Sequence, residues 1–339
     1  MLAIAAVATG MIAQTPPKNS LLILSKQDHT LAIVNPEDLH VLARVPVGDD
    51  PHEVVASADG RTAYVSNYGF GAFHTLTVVD LAAQRQKQQI DLGALRGPHG
   101  LMFTQGKVWF TAEAAKAIGS YDPAAERVDW IMGTGQNRTH MLYVFPDARK
   151  IVTTNVNSAT VTILEKTEGS AGIPQVAGAG GPPRRLPSPP GGDWNETVIP
   201  VGGGSEGFDV SPNGKEAWVA NAWDGTVSVV DLEAKKVTDT LKVKVPGANR
   251  LKFTPDGMMA LVSAGPDLVI LDSATHREVK RLHIGHGSGG ILVQPDGPRA
   301  YVAVSPDGFV AVIDLKTLEM AGKIDAGGNP DGLAWAEPR

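Results

Sequence analysis

Cysteine is absent from this 339-residue sequence. Its absence excludes disulfide bonds, thiolate metal sites, cysteine nucleophiles and the lipid anchor of lipoproteins. An excess of basic residues is absent as well, because 30 lysines and arginines are outnumbered by 36 aspartates and glutamates, for a formal charge of −6. Such a chain lacks the positive surface that binding to a phosphate backbone requires, so we expect no nucleic-acid partner.

Long hydrophobic runs are also missing, and no stretch reaches the length of a membrane-spanning helix. Residues 1–13 (MLAIAAVATGMIA) form a shorter apolar run that ends in small residues, as a secretory signal does, with Ala6-Val7-Ala8 as its cleavage pattern. The usual basic residues before the run are absent, and a frayed apolar tail is the alternative. We expect residues 1–18 to be a signal peptide or N-terminal tail, and the protein to be periplasmic or secreted.

Glycine and proline, in contrast, are plentiful, at 38 and 24 residues. Their density excludes a coiled coil, and a hydrophobic content of 42% excludes intrinsic disorder. The length suits one large all-β domain or two ordinary domains.

One phrase recurs along the chain: a glycine-rich turn, an apolar strand, a Pro-Asp-Gly-like turn and an alternating strand. Each full copy continues into a strand ending in Asp, such as TVSVVD at 226–231, and then into a more polar strand. Four strands every 40–47 residues predict the blades of a propeller. The copies are PHEVVASADGRTAYVSN (51–67), PHGLMFTQGKVWFTAE (98–113), THMLYVFPDARKIVTTN (139–155), SEGFDVSPNGKEAWVAN (205–221), ANRLKFTPDGMMALVSA (248–264) and GGILVQPDGPRAYVAV (289–304).

Counting the innermost strands by the residue that opens each of them predicts seven blades. The last blade has only its innermost strand, PDGLAWAEPR (330–339), and the N-terminal segments LLILSK (21–26), TLAIVN (30–35) and HVLARVPV (40–47) supply the other three. Joining both chain ends in one blade closes the ring and leaves no open sheet edge between the first and last blades. We therefore predict an all-β fold, a seven-bladed β-propeller of four-stranded blades, as a single domain over residues 19–339.

One spacing, the 66 residues from His140 to Glu206, exceeds the others. The excess corresponds to a Pro/Gly-rich insertion at 166–194. We interpret it as a flexible surface loop on the face opposite the one where the innermost strands begin.

The segments YVSN (64–67), WVAN (218–221) and SPNG (211–214) resemble the YVTN-type repeat of seven-bladed, YncE-like β-propeller proteins. The resemblance covers nearly the whole chain and implies the same fold. Propellers of similar build include scaffolds, SMP-30-type metal-dependent lactonases and virginiamycin B lyase-type enzymes. Function therefore has to be argued from the residues of the site.

The first residues of the innermost strands meet at one mouth of the central channel. Three of the nine histidines occupy this ring in consecutive blades, at His52, His99 and His140, and Glu206 follows in the next blade. Imidazoles and carboxylates are the usual ligands of Zn, Cu, Fe or Mn. We therefore predict a divalent transition-metal site made of His52, His99, His140 and Glu206. A metal-free substrate site and a set of structural turn residues are the alternatives.

Loops after the second strands open on the same face. Glu113 stands where other blades have Asn, so Glu113 and Glu206 are candidate catalytic carboxylates. Arg250 and Arg138 are candidates for binding an anionic group of the substrate. Arg250 is also a candidate catalytic residue. The candidate substrate-binding residues are Asn67, Arg138, Asn155, Asn221, Asn249 and Asp331, of which the turn asparagines also have an ordinary structural explanation.

These observations favour an exported metal-dependent enzyme of hydrolase or lyase type, similar to the lactonases, that acts on a small polar substrate. Histidine ligands argue against Ca²⁺, which prefers oxygen. A copper- or iron-dependent redox enzyme is a further alternative. The non-catalytic alternative is a periplasmic binding or scaffold propeller with a protein partner.

Overall fold

Seven four-stranded antiparallel sheets are arranged as the blades of a β-propeller. The computed structural model describes residues 19–167 and 193–338. The predicted signal segment at 1–18 and most of the insertion at 166–194 lie outside the described residues. The seven-bladed, all-β fold predicted from the repeats is confirmed.

The blades are numbered in the chain order of their ring residues, from His52 in blade 1 to Asp331 in blade 7. Blades 1 to 6 are each formed by four consecutive strands. Blade 1 contains β4 (Pro51–Ala56), β5 (Thr62–Asn67), β6 (Thr75–Asp80) and β7 (Arg85–Asp91). Blade 2 contains β8 (Pro98–Thr104), β9 (Lys107–Ala112), β10 (Ala117–Asp122) and β11 (Arg127–Gly133). Blade 3 contains β12 (Thr139–Val144), β13 (Lys150–Asn155), β14 (Thr160–Lys166) and β15 (Trp194–Pro200).

The remaining blades repeat this order. Blade 4 contains β16 (Ser205–Val210), β17 (Glu216–Asn221), β18 (Thr226–Asp231) and β19 (Lys236–Leu241). Blade 5 contains β20 (Ala248–Phe253), β21 (Met259–Ala264), β22 (Asp267–Asp272) and β23 (Glu278–His283). Blade 6 contains β24 (Ser288–Val293), β25 (Arg299–Val304), β26 (Phe309–Asp314) and β27 (Glu319–Ile324). Short 3-10 helices lie at Gly69–Gly71, Val156–Ser158 and Ser305–Asp307.

Blade 7 joins the two ends of the described chain. It contains β28 (Pro330–Ala336), which is the innermost strand, followed by β1 (Ser20–Ser25), β2 (Thr30–Val34) and β3 (Val41–Pro46). Strands β28 and β1 are antiparallel, with Leu21 opposite Trp335 and Ile23 opposite Leu333. Because this blade is completed from both ends, hydrogen bonds between β28 and β1 close the ring and leave no open edge where the two ends of the described chain meet.

Apolar side chains fill the space between neighbouring blades. Between blades 4 and 5, for example, Trp218 and Val229 pack with Leu251 and Val262. The second and third strands are covered on both faces, so they are nearly continuous apolar runs rather than alternating ones. The outermost strands are polar, and β7 (RQKQQID) is exposed at all but one position. None of the helices in the described part of the chain has the length and hydrophobicity needed to cross a membrane.

The start of each innermost strand is irregular, and this irregularity positions the site. The register between the first and second strands shifts between Pro51 and Val54, between Pro98 and Leu101, and between Thr139 and Leu142. A bulge of this kind turns side chains away from the regular alternation of a strand. The ring residues lie within these shifts, so their side chains are directed by the bulge and not by the sheet.

Candidate functional site at the mouth of the central channel

The three ring histidines lie against one another. The ring centroids of His52 and His99 are 4.8 Å apart, and those of His99 and His140 are 3.9 Å apart. His99 and His140 are each 1% exposed, and His52 is 9% exposed. The structure therefore brings together, in three consecutive blades, the imidazoles that the repeat placed at equivalent positions.

Hydroxyl groups from the second strands hold the backbone of these residues. The Ser66 hydroxyl donates to the carbonyl of His99 at 3.0 Å, and the Thr111 hydroxyl donates to the carbonyl of His140 at 2.8 Å. Thr154 makes the same bond to the Glu206 carbonyl at 2.8 Å. Each bond joins one blade to the next, so the positions of adjacent ring residues are coupled.

Two carboxylates flank His140. Its Nδ1 is hydrogen-bonded to Glu113 Oε1 at 2.5 Å, and its Nε2 lies 3.2 Å from Glu206 Oε1. The hydroxyl of Tyr68 donates to Glu113 Oε2, so both oxygens of Glu113 are engaged. The Arg138 guanidinium lies 3.5 Å from Glu113 and 3.4 Å from Glu206. His140 is thus the centre of a charged network drawn from blades 1 to 4.

The electrostatics differ sharply between neighbouring histidines. Burial, reinforced by the charges of His140 and His52, places the pKa of His99 well below its ordinary value. Burial also acts to lower the pKa of His140, but the Glu206 and Glu113 carboxylates outweigh it and raise this pKa. His99 is therefore a neutral imidazole at physiological pH, whereas His140 readily holds a proton or a cation.

The carboxylates respond in the opposite direction. Burial acts to raise the pKa of Glu206, but the charges of His140 and Arg138 lower it to about 2. The pKa of Glu113 is lowered too, since its hydrogen bond and ion pair with His140 outweigh burial. Both carboxylates are ionised at neutral pH.

Several imidazole nitrogens in the cluster are buried without a hydrogen-bond partner. They are Nδ1 of His52, Nδ1 of His99 and Nε2 of His140. A buried, unpaired polar atom is costly, and a metal ion would satisfy such a nitrogen. Ligand atoms of His99, Glu113 and His140 all lie within 4.8 Å of one another, so these three side chains are able to hold an ion.

The two carboxylates of His140 are not equivalent as metal ligands. Ligands bound to one tetrahedral ion at about 2.0–2.1 Å stand roughly 3.4 Å apart. The 3.2 Å separation of His140 Nε2 and Glu206 Oε1 fits this value, whereas the 2.5 Å contact with Glu113 is that of a hydrogen bond. By these distances Glu206 is able to share an ion with His140 through Nε2, and Glu113 is able either to orient the ring or, with His99, to act as a ligand itself.

His52 has other partners. Lys26 Nζ lies 3.0 Å from its Nε2, and Asp50 Oδ1 lies 3.4 Å from its Nδ1. Lys26 also forms an ion pair with Asp331 at 2.6 Å. The lysine charge and the charge of His52 lower the pKa of Asp331 against the effect of burial. His52 thus belongs to a second charged group on the side of blade 7, whereas the group around His140 lies on the side of blades 2 to 4.

Arg250 forms a third group. Its guanidinium is paired with Glu53 and bonds to the carbonyl and the side-chain oxygen of Asn249, both at 3.1 Å. Arg250 is 4% exposed, and burial, which would lower its pKa, is outweighed by Glu53 and Asp331, which raise it. This guanidinium is already held by protein groups and is not a free clamp at the rim.

These groups surround a cavity of about 340 Å³, called here the mouth cavity. Of the residues predicted from the sequence, His52, His99, Arg138, His140, Glu206, Asn249, Arg250 and Asp331 line it. The side of the cavity formed by blade 6 carries only small residues, Gly287, Ser288, Gly289, Ser305 and Pro306.

The predicted turn asparagines lie elsewhere. Asn67, Asn155 and Asn221 are buried, and each side-chain amide donates to hydroxyls of the neighbouring third strand, as Asn67 does to Thr75 at 2.9 Å and Thr77 at 3.0 Å. They stabilise the turns of their own blades and do not line the mouth cavity. Of the predicted catalytic residues, Glu113 is likewise absent from the lining.

Sequence reasoning missed four members of these networks, Lys26, Asp50, Glu53 and Tyr68. The sequence comparison placed Glu113 at the asparagine position, but the strand register pairs Ala112 with Pro98 as it pairs Asn67 with Pro51, so that alignment is wrong by one residue. Glu113 is equivalent to Tyr68 and Lys26, which also directly follow a second strand, and the corrected alignment brings these three residues together. Glu53 follows the ring residue His52, and nothing in the pattern distinguishes it from a solvated strand residue.

No family model and no curated protein matches this chain. Solved structures do match its fold. A functionally unknown protein from Desulfotomaculum acetoxidans is 12% identical with a TM-score of 0.74, over 95% of this chain and 100% of that one. Dihydro-heme d1 dehydrogenase NirN, solved in complex with DHE, is 16% identical with a TM-score of 0.63, over 95% of this chain and 76% of that one.

A putative 6-phosphogluconolactonase from Bacteroides fragilis is 14% identical with a TM-score of 0.70, over 95% of this chain and 99% of that one. At such low identities the likeness concerns the fold alone. The comparisons thus give no match to the YVTN-type, YncE-like family that the repeats resemble. They support the coarser statement that this chain is a seven-bladed β-propeller, similar in fold to proteins of several activities.

Proposed function

We propose that the mouth cavity is a transition-metal site and that the protein is a metal-dependent enzyme, of hydrolase or lyase type, for a small polar substrate. The observation that supports this most is the environment of His140. Its Nε2 is buried, has no hydrogen-bond partner and stands 3.2 Å from an ionised Glu206, while Glu113 holds the opposite nitrogen. Carboxylate–histidine–metal arrangements have this form.

His99, His140 and Glu206 would hold the ion, and Glu113 would fix the orientation of His140. The ligand set of imidazoles and a carboxylate suits Zn, Cu, Fe or Mn. When bound, the ion supplies Lewis-acid polarisation of a substrate oxygen. We do not assign a ligand role to His52, because its nitrogens face Lys26 and Asp50.

Charge balance favours an anionic substrate group. With His140 protonated, its charge and that of Arg138 balance the two carboxylates, Glu113 and Glu206. A divalent ion in place of the His140 proton leaves one positive charge in excess. Arg138, whose side chain is 35% exposed at the rim, then has less carboxylate charge to pair with and is available for the substrate.

The opposite half of the mouth is suited to the rest of the substrate. Asn249, Ser305 and the Lys26–Asp331 pair offer donors and acceptors there. Gly289 occupies the ring position of blade 6, where the other blades carry larger side chains, and this leaves room beside Ser305 and Asp331. A compact, hydrogen-bonding molecule fits such a cavity better than an extended apolar one.

Export and family remain part of the proposal. The apolar segment at 1–13 supports secretion, and the repeats support a relationship to YncE-like propellers. The putative 6-phosphogluconolactonase similar in fold supports the hydrolase class only by analogy.

Metal content tests the proposal directly. Protein purified without a histidine tag is expected to contain close to one equivalent of a transition metal by elemental analysis, or to bind Zn²⁺, Cu²⁺ or Mn²⁺ with a rise in Tm. His99→Gln and Glu206→Gln should abolish this, whereas His286→Gln, at an exposed histidine outside the cluster, should not. No metal in the wild type and no change in Tm would favour the non-catalytic binding propeller instead.

Substrate class is tested after loading. The metal-loaded protein is expected to hydrolyse small esters or lactones, or to catalyse an elimination from small hydroxylated acids. Arg138→Ala should raise KM for anionic substrates more than for neutral ones. An equal change of KM for anionic and neutral substrates would show that Arg138 does not bind the anionic group.

A further inference from the structure

A second cavity lies in the same channel, below the mouth cavity, and is called here the lower cavity. Its volume is about 350 Å³, close to that of the mouth cavity. It is formed by the later residues of the innermost strands, including Met102, Met141 and Leu292. Because those strands run away from the mouth, the lower cavity lies toward the opposite face of the disc.

The buried ion pair between Arg250 and Glu53 lies between the two cavities. Arg250 lines both of them, and Glu53 lines the lower one. The pair joins blade 5 to blade 1, which are not neighbours in the ring, so it crosses the channel. The lower cavity is therefore a compartment of its own and not the base of the proposed metal site.

The lower cavity is more apolar than the mouth cavity. Fifteen of its twenty lining residues are aliphatic or aromatic, among them Phe208 and Trp335. Its charged residues form two pairs of opposite charge. Glu53 pairs with Arg250, and Lys252 Nζ lies 3.5 Å from Asp209 Oδ1. The Asp209 carboxylate also accepts a hydrogen bond from the Phe253 N–H at 3.0 Å. No unpaired charge is left among these groups to select an ionic ligand.

Several of the apolar residues, such as Met102, Met141 and Leu292, are only partly buried. Apolar surface in contact with water is unfavourable, and a ligand that covers it gains free energy. A dry apolar cavity of roughly 150 Å³ is already large enough to bind benzene. The lower cavity lies within the size range of ligand sites, about 300–1,000 Å³.

From this we propose that the lower cavity is a second binding site, for a small uncharged molecule that is mainly apolar. This site does not depend on the metal proposed at the mouth. Its ligand would enter from the face of the disc opposite the histidines.

Methionine side chains provide a direct test in the full-length protein. With ¹³C-methyl-methionine labelling, titration with toluene or indole should shift the methyl signals of Met102 and Met141 saturably. The signals of Met258 and Met320, which are 64% and 42% exposed elsewhere on the surface, should not move and serve as controls within the sample. Single Met→Leu variants assign the signals.

Variants that fill the lower cavity with a larger side chain provide a second test. Leu292→Trp, or Val55→Phe if the first variant does not fold, should weaken probe binding at least tenfold. Glu206→Gln, which disables the proposed metal site, should leave it unchanged. The proposal is overturned if neither probe shifts Met102 and Met141, if all four methionine signals shift alike, or if binding persists in a folded variant with the cavity filled.

Discussion

Each ring nitrogen of His140 has a different carboxylate beside it, and this asymmetry gives the residue its chemical character. Glu113, itself held by Tyr68, fixes the Nδ1 side through a hydrogen bond. Glu206 approaches the Nε2 side without forming one. The same pair of negative charges raises the pKa of His140 although the ring is buried. At the proposed metal site, a proton and a metal ion would therefore compete for a single buried nitrogen.

Removing the orienting carboxylate should weaken metal binding without removing a ligand. We expect Glu113→Gln to lower the affinity for Zn²⁺ by about 10–100-fold, the usual effect of losing a group that orients a histidine ligand. Tyr68→Phe should lower it by a smaller factor, because Glu113 then loses one of its three partners and keeps His140 and Arg138. Competition titration with a chromophoric chelator measures both.

Tyr301→Phe is the matched control. The Tyr301 hydroxyl is buried without a hydrogen-bond partner, so its removal leaves no group unsatisfied and should not affect metal affinity. Unchanged affinity in Glu113→Gln would show that Glu113 does not orient a ligand.

The members of the site could be predicted from the sequence to the extent that the repeats are symmetric. Equivalent positions identified His52, His99, His140 and Glu206, because a closed ring brings equivalent residues to one axis. Their partners could not be predicted in the same way. The contact of Arg250 with Glu53 crosses the channel between distant blades, and no local pattern records such a contact.

At the level of strands, the bulge at the start of each innermost strand determines where the ring residues point. Glycines allow the bulged strands to approach closely around the axis. A Cβ on Gly100 would lie 2.7 Å from the carbonyl oxygen of His140, and one on Gly332 would lie 2.4 Å from that of His52. The sequence showed strands and turns clearly through their alternation, but neither the bulges nor these contacts have a period that reveals them.

Gly100→Ala should therefore disturb both the packing and the site. The added methyl group meets backbone atoms of blade 3, which cannot rotate away, so we expect a loss of about 1–3 kcal/mol in the free energy of unfolding. The displaced His140 should bind metal more weakly. Chemical denaturation and metal titration of the same samples measure the two effects.

Gly133→Ala is the comparison for this substitution, because no atom lies within 4 Å of a Cβ placed there. It should leave metal binding unchanged and be neutral or stabilising by up to about 1 kcal/mol. Equal stability of the two variants would contradict close packing at Gly100.

For the whole molecule, the buried charges predict a stability maximum in mildly acidic solution for the metal-free protein. The pKa of Glu206 falls to about 2 when the chain folds, so its contribution is present above the ordinary value near 4.5 and is lost as the pH falls toward 2. The raised pKa of His140 acts oppositely: its contribution is present below about 6.5 and is lost as the pH rises through the folded value.

Measurements of Tm against pH, with EDTA and with Zn²⁺, test this expectation. Zn²⁺ should raise Tm increasingly as the pH rises, because the ion displaces the proton of His140. Glu206→Gln should flatten the acid side, whereas Glu233→Gln, at an exposed turn, should not. A metal effect that is independent of pH would contradict competition at His140.

Closure of the ring through blade 7 makes the last strand essential to the whole propeller. A chain that ends at Asn329 lacks β28, leaves an edge of β1 unpaired and exposes the clusters around Leu22 and Ile23. We expect it to be unfolded or aggregated by circular dichroism and size-exclusion chromatography. It also loses Asp331, the partner of Lys26 at the mouth.

A circular permutant separates the loss of the strand from the change in chain ends. Ala336 lies opposite Ser20 in the sheet, so a short glycine linker can join residue 338 to residue 19, with new termini between Asn329 and Pro330. Every strand pairing is retained, and this protein should fold with a denaturation midpoint near that of the parent. A folded truncated chain, or an unfolded permutant, would mean that closure by β28 is not what holds the ring together.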